Sequence, residues 1–391
     1  MAYPEKRGKT WRVRWLLPEP GPDGKPRYGS ESGFPTRTAA KRYGEDQESD
    51  IRNKRWVDPA RGAIHLADYY RQWTGAQDHA PSTTEFYDSL FRTHLLPRWS
   101  ATEIREITPF DVDRLEKELR AARSTSTADG VMTLLRMLME DAVWDKRLTT
   151  SPVRPKRRRG KVETSTAREG VAVDLETVEA IRRRLPAPES LLVLTAAFTG
   201  MRWGEAIGIR RQYLTLDGAA GSYFLDAQDG AVHEDNSGNR FYGPTKTRKE
   251  RTIELPGFLA TMLAEHLETV PSRRQELFVD QANELHRRSN FRRRLWRPAC
   301  DGWPARTATR GRCALEGAAP VCEGLVFHDL RHTHETWLSE DGVERVARDE
   351  RLGHITPGME GTYGHATPKM RANILMVLEL RWETRKARVN A

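Results

Sequence analysis

Residues 151–168, SPVRPKRRRGKVETSTAR, hold two prolines, a dense basic run and no apolar periodicity, so no helix or strand is expected to run through them. A chain of 391 residues broken in this way does not build one core. At roughly 100–200 residues per domain it divides into two or three, and residues 151–168 are a linker between them. A charge run is ordinarily a solvated tether. Between two folded domains it also suits a strap along a phosphate backbone, through Arg157, Arg158 and Arg159.

On the N-terminal side the hydrophobic period is first two. In TWRVRWLL (10–17), Trp11, Val13, Trp15 and Leu17 face one way and Arg12, Arg14 and Leu16 the other, a half-buried strand with a basic outer face. A Pro/Gly turn leads to a second short strand near 27–32, and Thr36 caps a helix that turns Ala39, Ala40, Tyr43 and Ile51 inward. Residues 1–59 therefore form a small β-sheet backed by one helix. Arg12 and Arg14 are either a solvated face or the surface by which such a sheet enters a DNA groove.

From 62 to 150 the period changes to 3.6. Leu66, Tyr69, Tyr70 and Trp73 share a face, and Ser82 or Thr83 caps a helix with Phe86, Leu90 and Leu95. Thr108-Pro109 opens a third with Val112, Leu115 and Leu119, and Val131, Leu134, Leu135, Leu138 and Ala142 line a fourth. This is an all-α bundle. Residues 169–391 read as a mostly helical α+β domain: a buried helix over Leu191–Phe198, strands near 212–216, 222–226 and 251–255, and helices near 257–268, 286–297, 329–339, 343–352 and 368–382.

The balance of 64 Lys+Arg against 55 Asp+Glu, net +9, together with interspersed aromatics, points to a polyanionic partner. Nucleic acid fits better than a membrane surface, because there is no long basic amphipathic helix with a continuous apolar face. No apolar run approaches the ~20 residues that span a bilayer, and the polar start MAYPEKRGK lacks a secretory signal, so a cytoplasmic protein is expected. Cys300, Cys313 and Cys322 cannot all pair, and a disulfide framework is not expected.

Four segments of the last domain carry the residue types that phosphodiester chemistry needs. Arg202, directly after the buried helix, has a planar fork suited to two phosphate oxygens, and Glu205 on the same helical face can hold it. Lys246, on a hairpin tip in GPTKT, can swing in and protonate a leaving oxygen. In HDLRHTH, His328 and Arg331 project to one side of a helix start and offer a donor and a second cation. In LGHITPGMEGTYGH, His354 precedes Tyr363, whose glycine-rich setting frees its phenol to reach out. A phenol with pKa near ~10 attacks poorly unless cations lower the cost of its anion, and the Arg, Lys and His residues above supply that field.

The ordered set Arg202, Lys246, His328-x-x-Arg331, Gly353-His354 and Tyr363 resembles the tyrosine recombinases, the phage-integrase family. The match covers the whole last domain, and the small sheet, helical bundle and linker before it look like the arm-binding and core-binding domains of integrases. The resemblance implies a multidomain protein: arm-type DNA-binding domain over 1–59, core-binding domain over 62–150, basic linker over 151–168 and catalytic domain over 169–391. It implies a site-specific recombinase of a phage or other integrative element, working through a 3′-phosphotyrosyl intermediate on Tyr363 with no metal and no cofactor. Arg202 and Arg331 would clamp the non-bridging oxygens, Lys246 protonate the leaving 5′ oxygen, and His328 and His354 assist. The implied partners are double-stranded DNA attachment sites, three further copies in a tetramer on DNA, and a directionality factor or host DNA-bending protein, all in the cytoplasm of a bacterial host.

One departure is residues 299–325, an insertion before His328 that holds every cysteine and could form a zinc knuckle, against the simpler reading of buried or idle thiols. Two other functions use the same features: a type IB topoisomerase-like strand-relaxing enzyme and a non-catalytic DNA-binding regulator. A separate N-terminal sheet disfavours the first, since a relaxase needs no second DNA site. The complete set of catalytic residue types disfavours the second.

Overall fold

A computed structural model of the chain describes residues 2–20, 23–53, 56–155, 169–218, 220–235, 237–307, 315–354 and 365–390. Contacts gather it into two units, Met1–Ala167 and Arg168–Ala391. Arg157, Arg158, Arg159, Cys313 and Tyr363 lie outside the described residues.

The first unit opens with an antiparallel sheet ordered β1 (Tyr3–Arg7), β2 (Thr10–Leu16), β3 (Tyr28–Phe34). Strand β1 was not expected, because YPEKR is polar and carries a proline; as an edge strand it tolerates both. Val13 and Trp15 of β2 are buried with Ala40 of α1 (Arg37–Arg52), whose cap is Thr36. Gly29 on β3 is required by this packing, since a Cβ there would lie 2.5 Å from the Trp15 ring. The basic face is divided: Arg14 is exposed beside the Tyr28 ring, but Arg12 is bound at 2.6 Å by Glu5 of the unforeseen strand.

A second apolar cluster fills the bundle α2 (Leu66–Ala76), α3 (Pro81–Leu90), α4 (Leu96–Trp99), α5 (Pro109–Ala122) and α6 (Thr125–Trp144). The aromatic stripe of α2 is core with polar tips: Tyr69 donates to the Leu138 carbonyl at 3.2 Å, Tyr70 to Asp88 at 2.7 Å and Trp73 to Asp141 at 2.6 Å. The second helix starts at Ala80 and Pro81 rather than at Ser82 or Thr83, because proline's fixed φ suits the first helical position. Phe86, expected in the core, is half exposed. A π turn at Phe91–Leu95 joins α3 to α4 just before Pro97, which has no amide to donate. Thr108 and Asp111 form a reciprocal capping box at α5. Thr108→Ala is expected to lower the stability of this unit by about 1 kcal/mol, read as a shifted denaturant midpoint at unchanged slope.

The second unit is built around α8 (Ala187–Thr199), whose residues 191–199 are all buried, next to α7 (Leu175–Arg182). After it come α9 (Trp203–Ile207) and a sheet ordered β4 (Leu214–Asp217), β5 (Ala220–Leu225), β8 (Arg251–Leu255). The hairpin β6 (Ala231–Glu234) and β7 (Arg240–Gly243) interrupts that sheet and was not expected, since AVHE and RFYG are too short to show a period. Then follow α10 (Gly257–Thr269), α11 (Arg288–Phe291), a π turn to α12 (Arg297–Asp301), α13 (Asp329–Glu340), α14 (Arg345–Leu352) and α15 (Pro368–Asn390). Ile374, Leu378 and Trp382 of α15 are buried within their own unit, with Trp382 stacked 4.3 Å from Phe258. Cys300 is buried in this core and burial pushes its thiol up to about 12, while the Val321 and Cys322 amides donate to its carbonyl. Among the described residues no three His, Cys, Asp or Glu side chains are grouped to hold a metal ion.

Candidate active site

Helix α8 is apolar all round and stops at Gly200, whose φ of 68° reverses the chain. A Cβ there would lie 2.5 Å from Leu352 and 2.8 Å from His334, so the site is closed to any other residue. The reversal carries Arg202 out of the core. The sequence reading puts Arg202 and Glu205 on one helical face; in the structure Arg202 is instead the extended N-cap residue of α9. Glu205 closes that cap, accepting the Arg202 amide at 3.0 Å with one oxygen and its guanidinium at 3.0 Å with the other.

Glu205 is 1% exposed, and it has a second cation that the sequence did not reveal. Arg251, at the start of β8, donates to it at 2.8 Å and also to the Arg351 carbonyl at 3.1 Å. Burial alone would raise the Glu205 carboxyl, but Arg251 and the Arg202 amide and charge outweigh it and hold the group below the usual carboxylate range. Glu205 therefore stays ionised and holds both the backbone amide and the guanidinium of Arg202. Arg251 opens the alternating strand RTIEL, and nothing local in that segment marks it as a partner of Glu205.

Arg331, in the first turn of α13, is buried. Its two terminal nitrogens donate to the Gly200 carbonyl at 2.7 Å and the Leu352 carbonyl at 2.6 Å. One side chain thus ties together the segments that carry Arg202 and His354. Burial, then the charge of Arg202, lowers its pKa to about 10, which leaves it charged at neutral pH. Each terminal nitrogen keeps a second hydrogen, which can serve a ligand.

His328 caps α13 with its side chain exposed, and its ring lies edge-on to His332 at 5.3 Å. Its pKa is lowered by desolvation and then by His332, Arg331 and Arg202, so their fields converge on it. His354 follows Gly353, the left-handed cap of α14, and its ring stands 3.4 Å from Asp349. Desolvation and Arg331 lower its pKa against the opposing pull of Glu335 and Asp349. Both imidazoles are thus neutral at neutral pH and able to pass protons.

Arg202, Glu205, His328, Arg331 and His354 are in this way brought to one region. Lys246 is exposed on the turn Thr245–Arg248. That turn is not a hairpin tip, because β7 pairs with β6 and β8 with β5; it links two separate sheets. Tyr363 falls between His354 and His365, outside the described residues.

Residues 174–370 match the model of the phage integrase family. A curated relative, the putative prophage phiRv2 integrase of Mycobacterium tuberculosis, is 27% identical over 367 residues, covering 90% of this chain and 89% of its own. A XerC-like tyrosine recombinase of Caldanaerobacter subterraneus is 23% identical over 361 residues, covering 88% and 89%. Among solved structures, the Tn1549 transposon integrase in complex with transposon right end DNA superposes with a TM-score of 0.59 at 16% identity, over 84% of this chain and all of that one, a likeness of fold. With the match spanning the segments that hold both arginines, the lysine, both histidines and the tyrosine, the chain belongs to the phage integrase family and is a tyrosine-type site-specific DNA recombinase.

Proposed function

We propose that this recombinase integrates and excises a mobile element by attack of Tyr363 on a phosphodiester at a core-type attachment site. The observation that carries the assignment of roles is the Arg331 fork, which bonds the Gly200 and Leu352 carbonyls and so holds Arg202 and His354 around one point. A phosphate placed there meets two guanidiniums, and the charge that develops on its non-bridging oxygens is met by donors already fixed in place. The Tyr363 oxygen bonds to phosphorus, the bond to the 5′ oxygen breaks, and Lys246 donates the proton that oxygen needs. One of the neutral imidazoles, His328 or His354, takes the phenolic proton and returns it to the tyrosine oxygen in the reverse step, when the attacking 5′ hydroxyl gives its own proton back to Lys246. The cut is therefore conserved as a phosphotyrosyl bond and needs no energy source for rejoining. The Tn1549 integrase is described with transposon end DNA, and this chain is proposed to hold the ends of its own element in the same sense. A tetramer on DNA, working in the bacterial cytoplasm with a directionality or bending protein, completes this reading.

Incubation with a nicked suicide core site, followed by peptide mapping of the adduct, tests the assignment. DNA joined through its 3′ phosphate to Tyr363 is expected; an adduct on Tyr242 or a 5′ linkage would refute it.

The division of labour follows from the cores. The Val13, Trp15 and Ala40 cluster is separate from the one inside the bundle, so residues 1–59 are proposed as a separately folding arm-site module. Linking two DNA-binding modules raises the effective concentration of the second site. Deletion of residues 1–58 is expected to spare cleavage of an isolated core site and to reduce integration of a full attachment site to background, both read on gels. Loss of core cleavage in this variant would show that the modules are not independent.

A further inference from the structure

Beyond the residues that face the phosphate, two buried side chains tie the same elements together from behind. Arg351 lies in the last turn of α14 and is 5% exposed. Its three partners are all neutral: its Nε donates to His334 Nε2 at 3.0 Å, one terminal nitrogen to the Glu254 carbonyl at 3.0 Å and the other to the Phe198 carbonyl at 3.0 Å. His334, in α13 and wholly buried, donates from Nδ1 to the Ala197 carbonyl at 2.9 Å. Its ring must therefore be neutral, with its proton on Nδ1, so that Nε2 can accept from the arginine.

None of the hydrogen-bond partners of Arg351 is a carboxylate; the nearby Glu254 charge favours the cation, and the last turn of α8 adds to it. A helix C-terminus leaves carbonyls unpaired and carries partial negative charge. Here Ala197 is bonded by His334, Phe198 by Arg351 and Gly200 by Arg331. The cation is matched to a helix end, and that end is the one that releases Arg202. At its other side Arg351 precedes Leu352, whose carbonyl Arg331 binds, and Gly353-His354 follow directly. Burial drives the His334 imidazole well below its ordinary range, and Arg351 adds to this, in keeping with the neutral tautomer.

We propose that His334 and Arg351 are positioning residues for strand cleavage, which hold the end of α8 that delivers Arg202 in register with the end of α14 that delivers His354. Neither touches the scissile phosphate. The proposal rests on the reading that Arg202, Arg331 and His354 surround that phosphate.

Arg351→Lys keeps the charge but cannot reach three divergent acceptors, and His334→Leu with Arg351→Met removes the buried charge and its partner together. The double variant leaves the Ala197, Phe198 and Glu254 carbonyls without these donors and is expected to be less stable than the wild type. Single-turnover cleavage of a suicide core site, DNA dissociation constants and thermal midpoints are measured at a temperature where every variant is folded by circular dichroism. The expected result is cleavage at least ten-fold slower in both variants while folded, an unchanged dissociation constant, and a lowered midpoint in the double variant. Wild-type cleavage in Arg351→Lys, or in the double variant at a temperature where it is folded, overturns the proposal. Arg331→Ala is the control: if it cleaves normally the phosphate-site reading itself fails, whereas if it is inactive while Arg351→Lys is fully active only the positioning role fails.

Discussion

Tyr363→Phe is expected to bind a core site with wild-type affinity and to form no covalent adduct with it at any time or enzyme concentration. The substitution removes one oxygen and leaves the ring. Affinity is spread over many phosphate contacts made by the basic surfaces of a chain with net charge +9, and one phenol contributes little to that sum. On the proposed mechanism the chemical step depends on that oxygen entirely. In the proposed roles, the two guanidiniums of Arg202 and Arg331 would stabilise charge on phosphorus oxygens but supply no nucleophile, so no residual route to a protein adduct is expected. Gel shifts and denaturing gels on the same suicide substrate read the two quantities side by side. An adduct that persists in Tyr363→Phe would remove Tyr363 from the role of nucleophile, and a DNA affinity that falls with it would show that the phenol also contributes to binding.

How far the sequence could reveal this arrangement depended on whether a feature was encoded locally. The apolar stripes of α2 and α6, the buried run of α8 and the Thr36 and Thr108 caps are written in neighbouring residues, and the helices and caps stand where those residues place them. The ordered arginines and histidines were legible for another reason, as a resemblance spread over the whole last domain. Strand β1 and the hairpin of β6 and β7 were missed because their four or five residues gain stability only from partners across the sheet. The Glu5 clamp on Arg12 was hidden with β1, so half of the expected basic face is already neutralised within the fold. Arg251, His334 and Arg351 were passed over for a third reason. Their partners are Glu205 and the backbone carbonyls of residues 197, 198, 254 and 351, far away along the chain, and a carbonyl leaves no trace in a sequence.

Arg331→Ala and Arg202→Ala are expected to fail alike in cleavage and to differ in stability. Each removes one cation from a developing phosphorane, which costs about 10²- to 10³-fold in rate by analogy with other fixed donors at reaction centres. Because such donors act mainly in the transition state, the DNA dissociation constant should hardly move. Stability separates them because the two side chains are embedded differently. Arg331 is buried, and its loss leaves the Gly200 and Leu352 carbonyls without a donor in the protein interior. Unpaired buried groups cost about 1–3 kcal/mol each, and in a domain of this size each kcal/mol lowers the midpoint by roughly 2–4 °C, so the two carbonyls together imply a drop of roughly 4–24 °C. Arg202 has a side chain 21% exposed, and when it is shortened Glu205 keeps both the Arg251 guanidinium and the residue 202 amide. Its midpoint should stay within about 2 °C of the wild type, on the scale of other partly exposed ion pairs. Scanning calorimetry of the two variants beside their cleavage rates is the measurement. Equal midpoints would mean that Arg331 does not brace the segments of Gly200 and Leu352, and near-normal cleavage by Arg202→Ala would mean that a single guanidinium suffices at the phosphate.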